Sequence, residues 1–189
     1  MSLRQAHRIL AVLLGLFLVL HLGNHLAGLW GQEVHRAVQA TLRRLYRHPL
    51  LEPLLLAAVC FQIGLGLALL ARRRHLTLQT LSGGYLALFL MIHVSVVLVA
   101  RWQGTETDLA FAAAGLHAPL PWPVVFAVYY GLAVLAVFAH LSVPVSRSAP
   151  GLGRAVVVAG GVVSLCLVAL MSGLVTPLII PPALVAAFP

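Results

Sequence analysis

The chain has 189 residues, 61% of them hydrophobic and only 8% charged, with a mean hydropathy of +1.03. Soluble domains carry roughly 25% charged residues, so the composition excludes a soluble globular domain and predicts an integral membrane protein. The formal net charge of +8 comes from arginines that gather at the ends of apolar runs; membrane sorting and headgroup contact account for them, and no nucleic-acid partner is expected.

In chain order, Met1 to Arg8 followed by an apolar run resembles a secretory signal. The run continues through Leu29 with no small-residue cleavage pattern, so it is expected to be a retained first span. Crossing about 30 Å of hydrocarbon takes roughly 20 apolar residues. Five segments qualify: Ile9–Trp30, Leu50–Ala71, Leu78–Ala100, Trp122–Val145 and Ala155–Pro177. The expected fold is an all-α bundle of five transmembrane helices, a single membrane domain over residues 1–189 without an internal repeat.

The first connection, Gly31 to His48, places Val34, Val38, Leu42 and Leu45 on one helical face and most of its arginines elsewhere. That pattern predicts a short amphipathic helix near Glu33–Tyr46, lying at the membrane interface. Pro49 then opens the second span, where its missing amide hydrogen does no harm. Cys60 and Cys166 sit inside apolar segments without metal-ligand spacing and are expected to be small buried hydrophobes.

The arginines favour an N-in, C-out topology. Arg4, Arg8, Arg72, Arg73, Arg74, Arg147 and Arg154 then lie inside, while Arg36, Arg43, Arg44, Arg47 and Arg101 lie outside with Glu33, Glu106 and Asp108. His7, His35, His48, His75 and His117 flank the spans and are expected to be solvated or interfacial; His75 also extends the inner cationic rim, where a partner subunit could sit.

Inside the spans the histidines stand out, because a buried imidazole needs a hydrogen bond or a ligand. At about 1.5 Å per residue, His21 on the first span and His93 on the third fall at the same depth, roughly 18–23 Å from the inner surface. Two imidazoles facing each other in hydrocarbon point to an axially ligated haem; the alternative is a pair of core histidines bonded to serine or backbone carbonyls. His140, near the inner end of the fourth span, differs in depth by roughly 10 Å and cannot pair with His93. His25 lies one turn outward of His21 on the same face and is a candidate for holding a haem propionate or a quinone. Glu52, at the outer end of the second span, reads either as a snorkelling carboxylate or as a proton or quinol contact. Gln62 lies deeper in the same span.

Four stretches carry a resemblance: GLFLVLHLGNHLAG at Gly15–Gly28, HPLLEPLLL at His48–Leu56, QTLSGGYLALFLMIH at Gln79–His93 and YYGLAVLAVFAHLSVPVSR at Tyr129–Arg147. With the five-span layout, they resemble the cytochrome b membrane subunit of succinate dehydrogenase and fumarate reductase, in its single-subunit, five-helix, dihaem form that works with menaquinone. The resemblance covers nearly the whole chain, though its motifs are degenerate apolar patterns. It implies that His21 and His93 clamp an outer haem b and that His140 is one ligand of an inner haem. The family's remaining inner ligand belongs on the second span, where this chain has Gln62 in VCFQIGLG and no histidine. The expectation is one haem b, with the second site abnormal and His140 free to bond a quinone, a lipid or a carbonyl. Glu52 and Gln62 become quinone-site candidates, for menaquinone or another quinone.

The resemblance further implies a location in the bacterial cytoplasmic membrane, with flavoprotein and iron–sulfur subunits docked on the cytoplasmic face. The chain would not be catalytic alone; it would anchor those subunits, bind haem and help form a quinone site. Three other readings stand beside this one: a haem-binding quinone-linked subunit of a different dehydrogenase, a haem-free membrane anchor or assembly protein, and, disfavoured by the lack of inverted repeats, a small transporter.

Overall fold

The computed structural model describes residues 1–188, and every regular element among them is helical. Five helices are long and apolar enough to cross a membrane: α1 (Leu3–Ala27, continued by a tighter turn to Trp30), α3 (Leu51–Leu70), α4 (Leu78–Trp102), α6 (Trp122–Ser148) and α7 (Pro150–Met171). Three more lie outside the spans: α2 (Gln32–Tyr46), α5 (Leu109–Ala113) and α8 (Pro182–Val185). The protein is a multi-pass membrane protein built as an all-α five-helix bundle.

Local chemistry sets where the helices begin and end. Ser2 and Gln5 form a reciprocal capping box, with the Gln5 amide donating to Ser2 Oγ at 3.3 Å and the Ser2 amide to Gln5 Oε1 at 2.8 Å. The first span therefore starts at Leu3 rather than at Ile9, and His7 lies inside it. Thr77 and Thr80 cap α4 in the same way. At the other end of the chain, α7 stops at Met171 rather than running to Pro177. Gly173 adopts a φ of 72° there, with Gly173 N–H donating to the Leu170 carbonyl at 2.9 Å and Leu174 N–H to that of Ala169 at 3.0 Å. This is a Schellman stop, which needs a residue that tolerates left-handed backbone.

Around the bundle α1 packs on α3, α3 on α4, α4 on α6, and α6 most extensively on α7. The α6–α7 contact depends on close approach: a Cβ at Gly160 would overlap the Phe138 ring. α1 touches α7 near the outer end, where Gly28 meets Leu170, but has no comparable helix-to-helix packing on α4 or α6. The spans present bare apolar surface outward, Val19 at 72% exposure and Leu165 at 73% among them, as helices solvated by lipid do. The dry apolar cluster sits at one end of the bundle, where Leu109, Ala113, Leu116 and Met171 pack with Phe126 and Tyr130.

α2 occupies the segment expected for the amphipathic helix. Its two fully buried residues are polar, His35 and Gln39, while Val34 and Leu45 remain 42% and 52% exposed. Val38 and Leu42 of the apolar stripe are half-buried beside them, so the bundle-facing side is part polar and part apolar. Cys60 is exposed on the outside of α3 and Cys166 is partly covered, so Cys60 faces the lipid instead of the protein interior.

Candidate functional site

The imidazoles line the side of α1 that faces α4 and α6. His21 on α1 and His93 on α4 have ring centres 6.0 Å apart with planes inclined at 73°. Each is braced by a phenylalanine one turn earlier on its own helix: Phe17 stacks on His21 at 5.5 Å and Phe89 on His93 at 5.1 Å. Among the described residues no protein group hydrogen-bonds either ring. The two rings placed at one depth by the helical rise thus lie next to each other.

His25 continues the line outward, its ring 4.8 Å from His21 and 5.7 Å from His35 of α2. His35 was expected at the solvated interface; instead it is 1% exposed and lies 3.2 Å from the Asn24 amide nitrogen. Burial, followed by the nearby Arg43 and Arg36, overrides the opposing pull of Asp108 and lowers the His35 pKa to about 4, so the ring is neutral at physiological pH. His25 Nδ1 and Asn24 Oδ1 are buried without partners. Two orphaned polar atoms beside His21 mark a place where an added polar group would be held.

At the inner end, His140 of α6 donates from Nδ1 to the Gln79 carbonyl at 3.2 Å and has the Ser82 hydroxyl at 3.3 Å. Its ring centre lies 6.4 Å from that of His7, with planes inclined at 75°. Gln62 Nε2 approaches His7 Nε2 at 3.4 Å. His7 was expected at the interface, and its inward position is the main site feature that sequence reasoning missed. Two signals could have found it: the Ser2/Gln5 capping box that carries α1 over it, and its spacing of fourteen residues from His21, which returns to nearly the same helical face.

Glu52 is not a freely hydrated carboxylate. It forms an ion pair with Arg101 across α3 and α4, the two side chains being 24% and 29% exposed. Nearby, Arg43 pairs with Glu106, Arg47 donates to Thr107 Oγ1 at 3.0 Å, and Gln39 donates to the Thr107 carbonyl at 3.3 Å. These contacts tie α2 to the segment after α4. His117, also expected to be solvated, lies 3.0 Å from the Met171 carbonyl and donates to it at the end of α7. His75 is exposed beside Arg72, Arg73 and Arg74, as expected for the charged rim.

Among the described residues no group of three or more histidine, cysteine, aspartate or glutamate side chains converges to hold a metal ion. A haem asks less of the protein, two axial groups on opposite faces of the ring. With a metal–nitrogen bond of about 2 Å and roughly 1 Å from nitrogen to ring centre, two axial imidazoles have centres about 6 Å apart. The His21–His93 pair has that spacing and, among the described residues, no protein hydrogen bond at either ring, so the residues fit the group. No family model, curated protein or solved structure matches the chain.

Proposed function

We propose that this protein is the haem b-binding, quinone-linked membrane subunit of a succinate dehydrogenase or fumarate reductase complex, seated in the bacterial cytoplasmic membrane. The observation that carries the reading is the 6.0 Å separation of His21 on α1 and His93 on α4. A bound haem would supply one-electron redox chemistry that no side chain of this chain offers. The protein's own part is positional. His21 and His93 would hold the group, Phe17 and Phe89 stack on their rings and fix the ring planes, and the apolar faces of the spans exclude water. His25 and Asn24, with their unpartnered atoms, are placed to hold a propionate or a quinone oxygen. Glu52 with Arg101 is the candidate quinone-side pair at the outer end, menaquinone or another quinone being the partner.

The chain would anchor flavoprotein and iron–sulfur subunits, for which the exposed arginine-rich rim of Arg72, Arg73 and Arg74 supports a docking face. A reduced-minus-oxidised spectrum of the purified full chain tests the central claim: a b-type signal is expected, lost or lowered by about one haem per chain in His21→Ala and His93→Ala. Wild-type haem content in either variant overturns the pairing. Co-purification of flavin and iron–sulfur subunits with succinate:quinone activity would separate the named complex from another dehydrogenase.

A further inference from the structure

We infer that the groove between the start of α1 and the end of α3 binds the headgroup of an anionic phospholipid, with Arg4, Arg72 and Arg73 holding its phosphate. The inference does not depend on the haem reading. Charge is divided sharply between the two ends of the bundle. All four acidic residues, Glu33, Glu52, Glu106 and Asp108, lie at the end that carries α2 and the segment after α4. The ion pairs found among the described residues, Arg36 with Glu33, Arg43 with Glu106 and Arg101 with Glu52, are there too. The opposite end holds Arg4, Arg8, Arg72, Arg73, Arg74, Arg147 and Arg154 and no acidic side chain. Sorting across the membrane accounts for arginines at that end, but not for three of them around one groove.

The groove has a volume of about 420 Å³ and is lined by Ser2, Leu3 and Arg4 at the start of α1 and by Leu69, Arg72 and Arg73 at the end of α3. Small-molecule sites occupy roughly 300–1,000 Å³. The three arginines are exposed and, among the described residues, their side chains have no ion pair or hydrogen bond. Like charges gathered round one concavity repel each other, and an anion placed among them turns that repulsion into attraction. Guanidinium forks match phosphate oxygens in paired hydrogen bonds, and basic pockets between membrane helices suit anionic headgroups. Leu3 and Leu69 form the apolar part of the wall and belong to the spans themselves. Past them the surface of the same two helices is bare, with Ile9 on α1 and Leu67 on α3 exposed. A site that joins unpaired cations to bare span surface fits a molecule with a phosphate head and acyl chains; inorganic phosphate would meet the cations alone. Arg74 and His75 lie outside the groove and stay available to a docked subunit.

The test is the lipid retained per chain by the purified full-length protein in detergent micelles carrying equal phosphatidylglycerol and phosphatidylcholine. The wild type is expected to retain phosphatidylglycerol over phosphatidylcholine. Arg4→Gln combined with Arg73→Gln should weaken that retention about thirtyfold, at about fivefold per arginine near a membrane surface. Arg147→Gln combined with Arg154→Gln removes the same charge from α6 and α7 at the same end and should leave it unchanged. Equal losses in the two double variants would mean diffuse attraction and overturn the site, as would equal retention of the two lipids by the wild type. Displacement of the lipid by an equal concentration of inorganic phosphate would make the ligand a free anion and overturn the lipid assignment. Loss of a co-purifying soluble subunit from the Arg4 and Arg73 variant, with lipid retention intact, would give the groove to that partner instead. Should that variant fail to accumulate, Leu69→Trp fills the groove with every arginine kept: lost retention supports the site, and unchanged retention overturns it.

Discussion

Asn24 of α1 and His35 of α2 meet at 3.2 Å in a fully buried contact that joins the first span to the helix following it. The contact explains how an amphipathic helix with a part-polar inner face is held to a membrane bundle. Each group answers a need that no solvent meets, and the Asn24 carbonyl oxygen is left for a further partner.

The first prediction follows from that neutral ring. The His35 pKa is lowered from 6.5 to about 4 by burial. The unfolded chain therefore binds more protons than the folded one between these values, and stability falls as pH drops from 6.5 toward 4. The loss should amount to about 3 kcal/mol at most, at 1.36 kcal/mol per pKa unit. Thermal unfolding in detergent across pH 7 to 4 should show this descent in the wild type, flattened in His35→Gln. An equal slope in both proteins would remove His35 as its source.

The second concerns Glu52 and Arg101. Their side chains are about three-quarters buried, so removing either partner strands the other, at a cost of about 1–3 kcal/mol. In a double-mutant cycle with Glu52→Gln and Arg101→Gln, the pair should couple by about 1 kcal/mol or more. Additive effects would show the ion pair to contribute nothing to stability. If Glu52 also serves the quinone, Glu52→Gln should raise KM for quinol in the assembled complex beyond what Arg101→Gln does.

A third addresses direction. The arginine distribution calls for Arg72–His75 on the cytoplasmic side and α2 on the outer side. Reporter fusions in the α3–α4 connection should report cytoplasmic, and fusions at the α4–α6 connection external. The reverse pattern would move the inner imidazole pair to the outer leaflet and detach the arginine rim from its docking role.

Much of the architecture was legible because it is written in one dimension. Span number follows from apolar length, the α2 helix from a 3.6-residue period, and the equal depth of His21 and His93 from a fixed rise per residue. These depend on sequence distance and on the bilayer, and on nothing else in the fold. The positions of His7, His35 and Glu52 were not legible, because each depends on which helix face meets which neighbour. α1 had to be extended by its cap before His7 entered the bundle, and α2 had to turn His35 inward before Asn24 could meet it. Arg101 had to come alongside α3 before Glu52 was paired. The sequence by itself determined a five-span membrane protein with imidazoles at matched depth. Only the tertiary structure decided which rings face each other, since helix rotation and neighbour order are set by packing between spans, while hydropathy reports burial in lipid and in protein alike.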